Sequence, residues 1–401
     1  MKIGFAGNMN NYPFMLALTL RDMGHEVVFI IDSDERLQRP EFRYPDMFST
    51  WPQWVVDMPG STKGLNSLIA SKQALSILGD CDALIVNTGW PRVARFLKKP
   101  YVCILTGSDI DIMADYGAIR VFQNSLRRQA GIAKKTVLSL IDVWRTYRHR
   151  LAIRDANGYV CSILGILPNT DRVIRSINPQ GIRLMGLMTD VKSLGYIRPP
   201  DNKPIKILNA ARLNWKMPPV PGRCALDIKR TDILLKGFAL FQQKFAGEMR
   251  LTLVRKGDDV KETQGLIEDL GIAEYIDWMD EMTQMQLLHQ YGLHDIISDQ
   301  FGESIVSMAG LDAMAVGRPL LANWRPEFMD EVVPEKAPIC QATSGEQVFQ
   351  QLVLLRDSAY REEVGIRSRK YVEKYFSVEA VANRILNVLE PKGIGADDHG
   401  I

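Results

Sequence analysis

Lys2-Ile3-Gly4-Phe5-Ala6-Gly7-Asn8-Met9-Asn10-Asn11 opens the chain, and Glu26-Val27-Val28-Phe29-Ile30-Ile31 follows after one helical stretch. Lys2 to Ala6 is a short apolar run of the kind buried on both faces, and Gly7 to Asn11 reads as a turn. Pro13 to Met23 carries apolar residues at helical spacing until Gly24 ends the helix. Glu26 to Ile31 is a second strand run. A β-loop-α-β unit requires parallel strands joined by a right-handed crossover, so the expected fold class is α/β. Ala83 to Val86 and Tyr101 to Leu105 supply further strands of the same buried type.

The rhythm breaks at Arg198-Pro199-Pro200-Asp201-Asn202-Lys203-Pro204, a Pro-rich polar stretch that suits an exposed linker. It then restarts, with strands at Ile205 to Ala210, Leu251 to Val254 and Tyr275 to Trp278, and helices at Ile233 to Phe245 and Glu262 to Leu270. Two Rossmann-like domains facing across a cleft are expected, residues 1–200 and 201–401. The length of 401 residues agrees, at roughly 150 residues per domain.

Bulk numbers exclude several function classes. A net charge of +2 is too small for a nucleic-acid binder. Cys81, Cys103, Cys161, Cys224 and Cys340 are odd in number and form no CxxC pair, so neither a disulfide framework nor a zinc site is readable and a reducing compartment fits. Met1 to Phe5 leads straight into a strand, and the apolar runs fall short of the ~20 residues of a membrane span. A cytoplasmic protein, soluble or peripheral at the membrane, is expected.

Residues 120 to 154 change character: Arg120, Arg127, Arg128, Lys134, Lys135, Arg145, Arg148, Arg150 and Arg154 are interleaved with apolar residues such as Phe122, Leu140 and Trp144. This reads as one or two basic amphipathic helices. The first interpretation is a surface helix whose long cations cover apolar area; the second is a peripheral contact with anionic lipid.

Four stretches can carry chemistry. Gly4 to Asn11, with Gly7 and Asn8, lets backbone N–H groups approach an anion or a sugar hydroxyl, or is a structural turn. Its GxxG spacing is not the GxGxxG of a dinucleotide site, although Asp32 ends the second strand where a ribose ligand would sit. Asp32-Ser33-Asp34 has the form of a DxD metal motif, as does Asp109-Ile110-Asp111, but the preferred reading is without a metal. Thr106-Gly107-Ser108-Asp109 follows a strand, where loops face the ligand crevice of a doubly wound sheet, or it caps the next helix. Arg212, after a strand, and Lys229, before a helix, can clamp a diphosphate or make surface salt bridges. Last, Ser298 to Pro319 contains Gly302, Glu303, Ser304, Ile305 and Val306 in a loop leading to a helix, whose N–H groups suit a diphosphate, while Asp312 farther along can bond ribose hydroxyls.

Asp312-Ala313-Met314-Ala315-Val316-Gly317-Arg318-Pro319 resembles the E-A-M-A-x-G-x-P helix of the group 1 (family 4) retaining glycosyltransferases. Gly107-Ser108-Asp109 is similar to that family's H-G-S-D string, with Thr106 in the place of the His. Asp299-Gln300-Phe301 is similar to a D-Q-F variant, and Val254 to Asp258, with Gly257, to the donor loop. Ser368 to Leu389 resembles the closing helices. The resemblance implies a GT-B fold with a C-terminal helix crossing back to the N-terminal domain, and transfer of a sugar from a UDP- or GDP-sugar with retention and without a cofactor. It implies Asp109 and Glu303 as catalytic residues, and Gly7, Asn8, Arg212, Lys229, Gly257, Gly302, Ser304, Ile305, Val306 and Asp312 as donor-binding residues. The usual E-x7-E pair is altered, with Asp312 at its second position, Ser304 eight residues earlier and Glu303 one residue off. The implied partners are a nucleotide sugar and a glycan or lipid-linked acceptor. A scaffold that keeps the fold without catalysis is the alternative.

Overall fold

The computed structural model describes residues 1–31, 39–58, 66–126, 132–216 and 228–390. The chain forms two compact units: Met1–Gly186 together with the segment from Val378 onward, and Leu187–Ser377.

The first unit runs β1 (Lys2–Ala6), α1 (Tyr12–Asp22), β2 (Glu26–Ile31), β3 (Val55–Asp57), α2 (Asn66–Gly79), β4 (Ala83–Asn87), α3 (Pro91–Leu97) and β5 (Tyr101–Ile104). It continues through α4 (Ser108–Asp111), α5 (Tyr116–Leu126), α6 (Ile132–Arg154), β6 (Gly158–Cys161), α7 (Pro168–Ile177) and β7 (Ile182–Met185). Its strands pair in the order β3-β2-β1-β4-β5-β6-β7, all parallel, with Ile3 beside Val27 on one side and Ala83 on the other. Strands β4, β5 and β6 are buried along their whole length, as continuous apolar runs with helices on both faces must be. Phe14 fixes α1 on this sheet: its ring stands edge-on to Phe29 at 5.2 Å and stacks on Trp54 at 5.3 Å. Such pairs add about 0.5–1.5 kcal/mol each beyond area burial.

The second unit runs β8 (Ile205–Asn209), α8 (Thr231–Lys244), β9 (Met249–Val254), α9 (Val260–Asp269), β10 (Ile276–Met279), α10 (Gln284–Leu293) and β11 (Ile296–Ser298). It continues through α11 (Met308–Val316), β12 (Leu320–Ala322), α12 (Pro326–Met329), β13 (Cys340–Gln341), α13 (Gly345–Leu354) and α14 (Ser358–Tyr375). Its parallel sheet is ordered β10-β9-β8-β11-β12-β13. Phe238 and Phe241 of α8 and Val348 and Leu352 of α13 form the core over one face. The last helix, α15 (Val378–Leu389), returns to the first unit and packs on α1, β5 and β7 through Val381, Ala382 and Ile385.

The expected boundary at residue 200 lies beyond the division after Gly186. The reason is local bonding: Ile197 N–H donates to Val316, Arg318 Nη1 donates to the Ile197 carbonyl at 2.5 Å, and Asn202 Nδ2 donates to Asp295 at 2.9 Å. The Pro-rich stretch is thus fastened to the second unit. In both sheets the first strand sits where chain order reverses, β1 between β2 and β4, and β8 between β9 and β11. Ligands of doubly wound sheets collect at the carboxyl ends of strands at this point.

Candidate functional site

Each unit carries one loop cluster at its reversal point. In the first, Gly7 follows β1 with φ +88°, and a Cβ there would lie 2.9 Å from the Asn87 carbonyl oxygen, so only glycine lets the turn pass so close to β4. Asn8 is buried and bonds within the loop: its Nδ2 donates to Asn11 Oδ1 at 2.8 Å, and its Oδ1 accepts from Phe14 N–H at 3.1 Å. Asn8 therefore caps an early N–H of α1.

Asn87, at the end of β4, ties three loops together. Its Oδ1 accepts from Met9 N–H at 3.0 Å, and its Nδ2 donates to the Ile104 carbonyl at 2.6 Å and reaches Asp109 Oδ2 at 3.3 Å. Asp109 is only 1% exposed, and its carboxyl accepts from the N–H groups of Thr106 at 2.9 Å and Gly107 at 3.0 Å. Burial pushes this carboxyl up to about 6, against the Thr106 and Gly107 N–H groups, which favour its charged form. The carboxyl that the sequence reading assigned to catalysis is bonded into the loop, where it holds Thr106 and Gly107 in place. From α6, His149 Nε2 lies 2.8 Å from the Asp109 carbonyl oxygen, and burial, with the nearby Arg92 charge, lowers the ring to about 4.

The second cluster is knit mainly by backbone. Lys229 N–H donates to the Asn214 carbonyl at 2.6 Å, and Phe301 N–H donates to the Lys229 carbonyl at 2.9 Å, which joins the loops after β8 and β11 with the lead into α8. Leu213 N–H donates to Lys256 at 2.7 Å, and Asn214 Oδ1 accepts from Asp258 N–H at 2.8 Å. Gly257 between them has φ +121°, and a Cβ would come within 2.7 Å of Leu213 N. The exposed Arg212, the half-buried Lys229, Gly257 and Gly302 are thus on loops bonded to one another at the ends of β8, β9 and β11.

The loop after β11 leads into a helix, as expected. Helix α11 begins only at Met308, N-capped by Ser307, whose Oγ accepts from Gly310 N–H at 3.2 Å. Ser304, Ile305 and Val306 precede it, and Ile305 and Val306 turn their side chains into the core, leaving only backbone groups to offer. Buried Asp299 shapes this loop by accepting from Ser307 N–H at 2.6 Å and Ser307 Oγ at 3.0 Å. Burial raises the Asp299 carboxyl, while the Ser307 N–H and the Lys229 charge pull it the other way. Glu303 is exposed and stands with Arg230, Asn323 and Arg325 around a cavity of ≈ 310 Å³. Asp312, 3% exposed, accepts from Thr189 Oγ1 and from Gln284 Nε2 at 3.3 Å. Asp109 and Glu303 belong to different units.

Sequence reasoning passed over Asn87, Asn209, Thr189 and the bonding role of Asp299. An Asn ending a buried apolar strand was the available signal, because Asn87 closes Ala83–Asn87 and Asn209 closes Ile205–Asn209. Asn209 Oδ1 accepts from Ser298 Oγ at 3.1 Å, while its Nδ2 and the Oε1 of Gln300 are buried polar atoms without a partner among the described residues. Asp32-Ser33-Asp34 and Met217 to Asp227 lie outside the described residues. Among those described, no three metal-ligating side chains cluster; Asp111 of the second acidic pair accepts from Thr170 Oγ1 at 2.5 Å.

No protein-family model matches the chain, and the search of curated proteins finds no match. Solved structures do match. Sucrose-phosphate synthase from Thermosynechococcus elongatus aligns over 97% of this chain and 98% of its own at 14% identity, with a TM-score of 0.55. HepE of Anabaena, solved with UDP and glucose, aligns over 97% and 99% at 15% identity and a TM-score of 0.58. The lipopolysaccharide outer core galactosyltransferase WaaB aligns over 97% and 99% at 15% identity and a TM-score of 0.55. At such identities the likeness speaks for the fold, and two parallel-sheet units of seven and six strands, with the last helix returned to the first, are the GT-B fold expected from the sequence.

Proposed function

We propose that the chain is a glycosyltransferase that moves a sugar from a nucleoside-diphosphate sugar, a UDP- or GDP-sugar, to a glycan or lipid-linked acceptor with retention at the anomeric carbon. The observation that carries this reading is the second loop cluster: two cations, Arg212 and Lys229, on mutually bonded loops at the β8/β11 reversal, beside the capped N-terminus of α11. The solved structures add support, since HepE was crystallised with UDP and glucose.

In this reading the bond between the anomeric carbon and the diphosphate oxygen breaks, the acceptor oxygen bonds to that carbon on the same face, and the acceptor proton passes to the departing phosphate. Arg212, Lys229 and the N–H groups of the loop at 302–306 stabilise the charge that develops on the diphosphate, the work a metal does elsewhere. Asp312, which also accepts from Thr189 and Gln284, bonds the ribose hydroxyls. Glu303 contacts the donor sugar. Asp109 acts by positioning the Thr106-Gly107 loop.

Thermal stabilisation by a panel of nucleoside diphosphates and nucleotide sugars tests the reading, because a ligand at 100 times its Kd adds about 2.7 kcal/mol. One nucleotide should raise the Tm, and Arg212→Ala and Lys229→Ala should abolish that rise. No shift with any nucleotide sinks the proposal; binding without sugar transfer to any acceptor favours the scaffold alternative.

A further inference from the structure

Helix α6 is inverted over residues 137–149. Its inward side carries Asp142, Thr146 and His149 at 5%, 2% and 1% exposure, whereas Val137, Leu140 and Trp144 are 58%, 67% and 59% exposed. Ile141, Val143 and Tyr147 are exposed with them. At 100° per residue the outward residues fall on one side of the helix and the buried polar ones on the other. Single exposed apolar residues are ordinary, but a contiguous apolar face marks a contact surface. Helix α5, packed along α6, adds exposed Val121 and Phe122.

Charge identifies what covers this face. Residues 116–154 contain nine Lys and Arg and a single acidic residue, Asp142, which is turned inward. Arg145 and Arg148 have no carboxylate partner among the described residues, and the Arg148 guanidinium lies 5.5 Å from the Trp144 ring centre. Arg127 and Arg128 lie outside the described residues. A second copy of this chain would bring like charges together. A bilayer with anionic headgroups meets both needs, taking apolar side chains at the acyl boundary, arginines at the phosphates, and Trp and Tyr between. No described helix is long and apolar enough to cross a membrane, so α6 would lie along the surface.

We infer that the outward face of α5 and α6 docks the protein on an anionic lipid bilayer. The inference is independent of the proposed chemistry, since docking is read without turnover. The full chain is to be co-sedimented with vesicles of phosphatidylcholine alone and of phosphatidylcholine with an equal part of phosphatidylglycerol. Binding should require phosphatidylglycerol, weaken with salt, and be lost in Leu140→Glu/Trp144→Glu. Arg145→Gln and Arg148→Gln should each reduce partitioning roughly fivefold. If the double glutamate variant unfolds by circular dichroism, Trp144→Ser replaces it. Absence of binding, binding unchanged in the variants, or a dimer by light scattering that Trp144→Glu dissociates would overturn the inference.

Discussion

Asn87→Leu isolates what one buried side chain does for the first loop cluster. Leucine has the same number of side-chain heavy atoms as asparagine, branched at the same carbon, so the change opens no cavity and removes polar pairing. Two backbone groups lose a partner: Met9 N–H, which donated to Oδ1 at 3.0 Å, and the Ile104 carbonyl, which accepted from Nδ2 at 2.6 Å. Each stranded group costs about 1–3 kcal/mol, so a loss of about 2–6 kcal/mol is expected. A second effect depends on pH. Nδ2 also faces Asp109 Oδ2 at 3.3 Å, and that carboxyl, raised to about 6 by burial, is ionised above that pH and neutral below it. Losing a donor beside a carboxylate costs more than losing one beside a neutral acid, so the deficit should be larger at pH 8 than at pH 5. Denaturant unfolding at both pH values, with amide exchange at Met9, measures this. A deficit under about 1 kcal/mol that is equal at the two pH values, with Met9 as protected as before, would refute the reasoning.

Two further predictions concern His149, which bonds the first loop cluster, and Gly257 of the second. The His149 ring is lowered to about 4, below its ordinary value, so as pH falls from about 6.5 to 4 the unfolded chain takes up a proton that the folded chain refuses, and stability is lost. His149→Gln removes that penalty, and its Tm relative to the parent should rise as pH falls through this window, by up to about 3 kcal/mol in stability. Gly257→Ala places a side chain at φ +121° and 2.6 Å from Asn214 Oδ1, a strain of about 1–3 kcal/mol. Nucleotide affinity should fall about tenfold, read by titration calorimetry, while an unchanged Kd would separate this loop from the donor.

The strands at Lys2–Ala6 and Glu26–Ile31 were legible to the residue, because a buried parallel strand is a continuous apolar run bounded by turn residues. Strands β3 and β7 were not: Val55-Val56-Asp57 and Ile182-Arg183-Leu184-Met185 are short edge elements, partly exposed and without an apolar run. The end of the first unit was misplaced because a Pro-rich stretch reads as a linker by composition, and only long-range bonds such as Arg318 to Ile197 reveal that it is fastened to the second unit. For the site, loop positions followed from strand ends, but partners did not. Burial of Asp109 depends on Asn87 and His149, 22 and 40 residues away along the chain, which no local pattern connects. Helix α6 shows the limit most plainly: its mixture of cations and apolar residues was readable, whereas the direction each side faces was not.

The return of α15 to the first unit orders events during synthesis. All strands of the second unit lie upstream of Ser377, so that sheet can close while the last helix is still within the ribosome. The first unit, although its strands emerge earliest, must wait with part of α1, β5 and β7 uncovered until Val381, Ala382 and Ile385 arrive. The half made first is therefore finished last, and a chain cut short after α14 leaves that apolar surface open to aggregation.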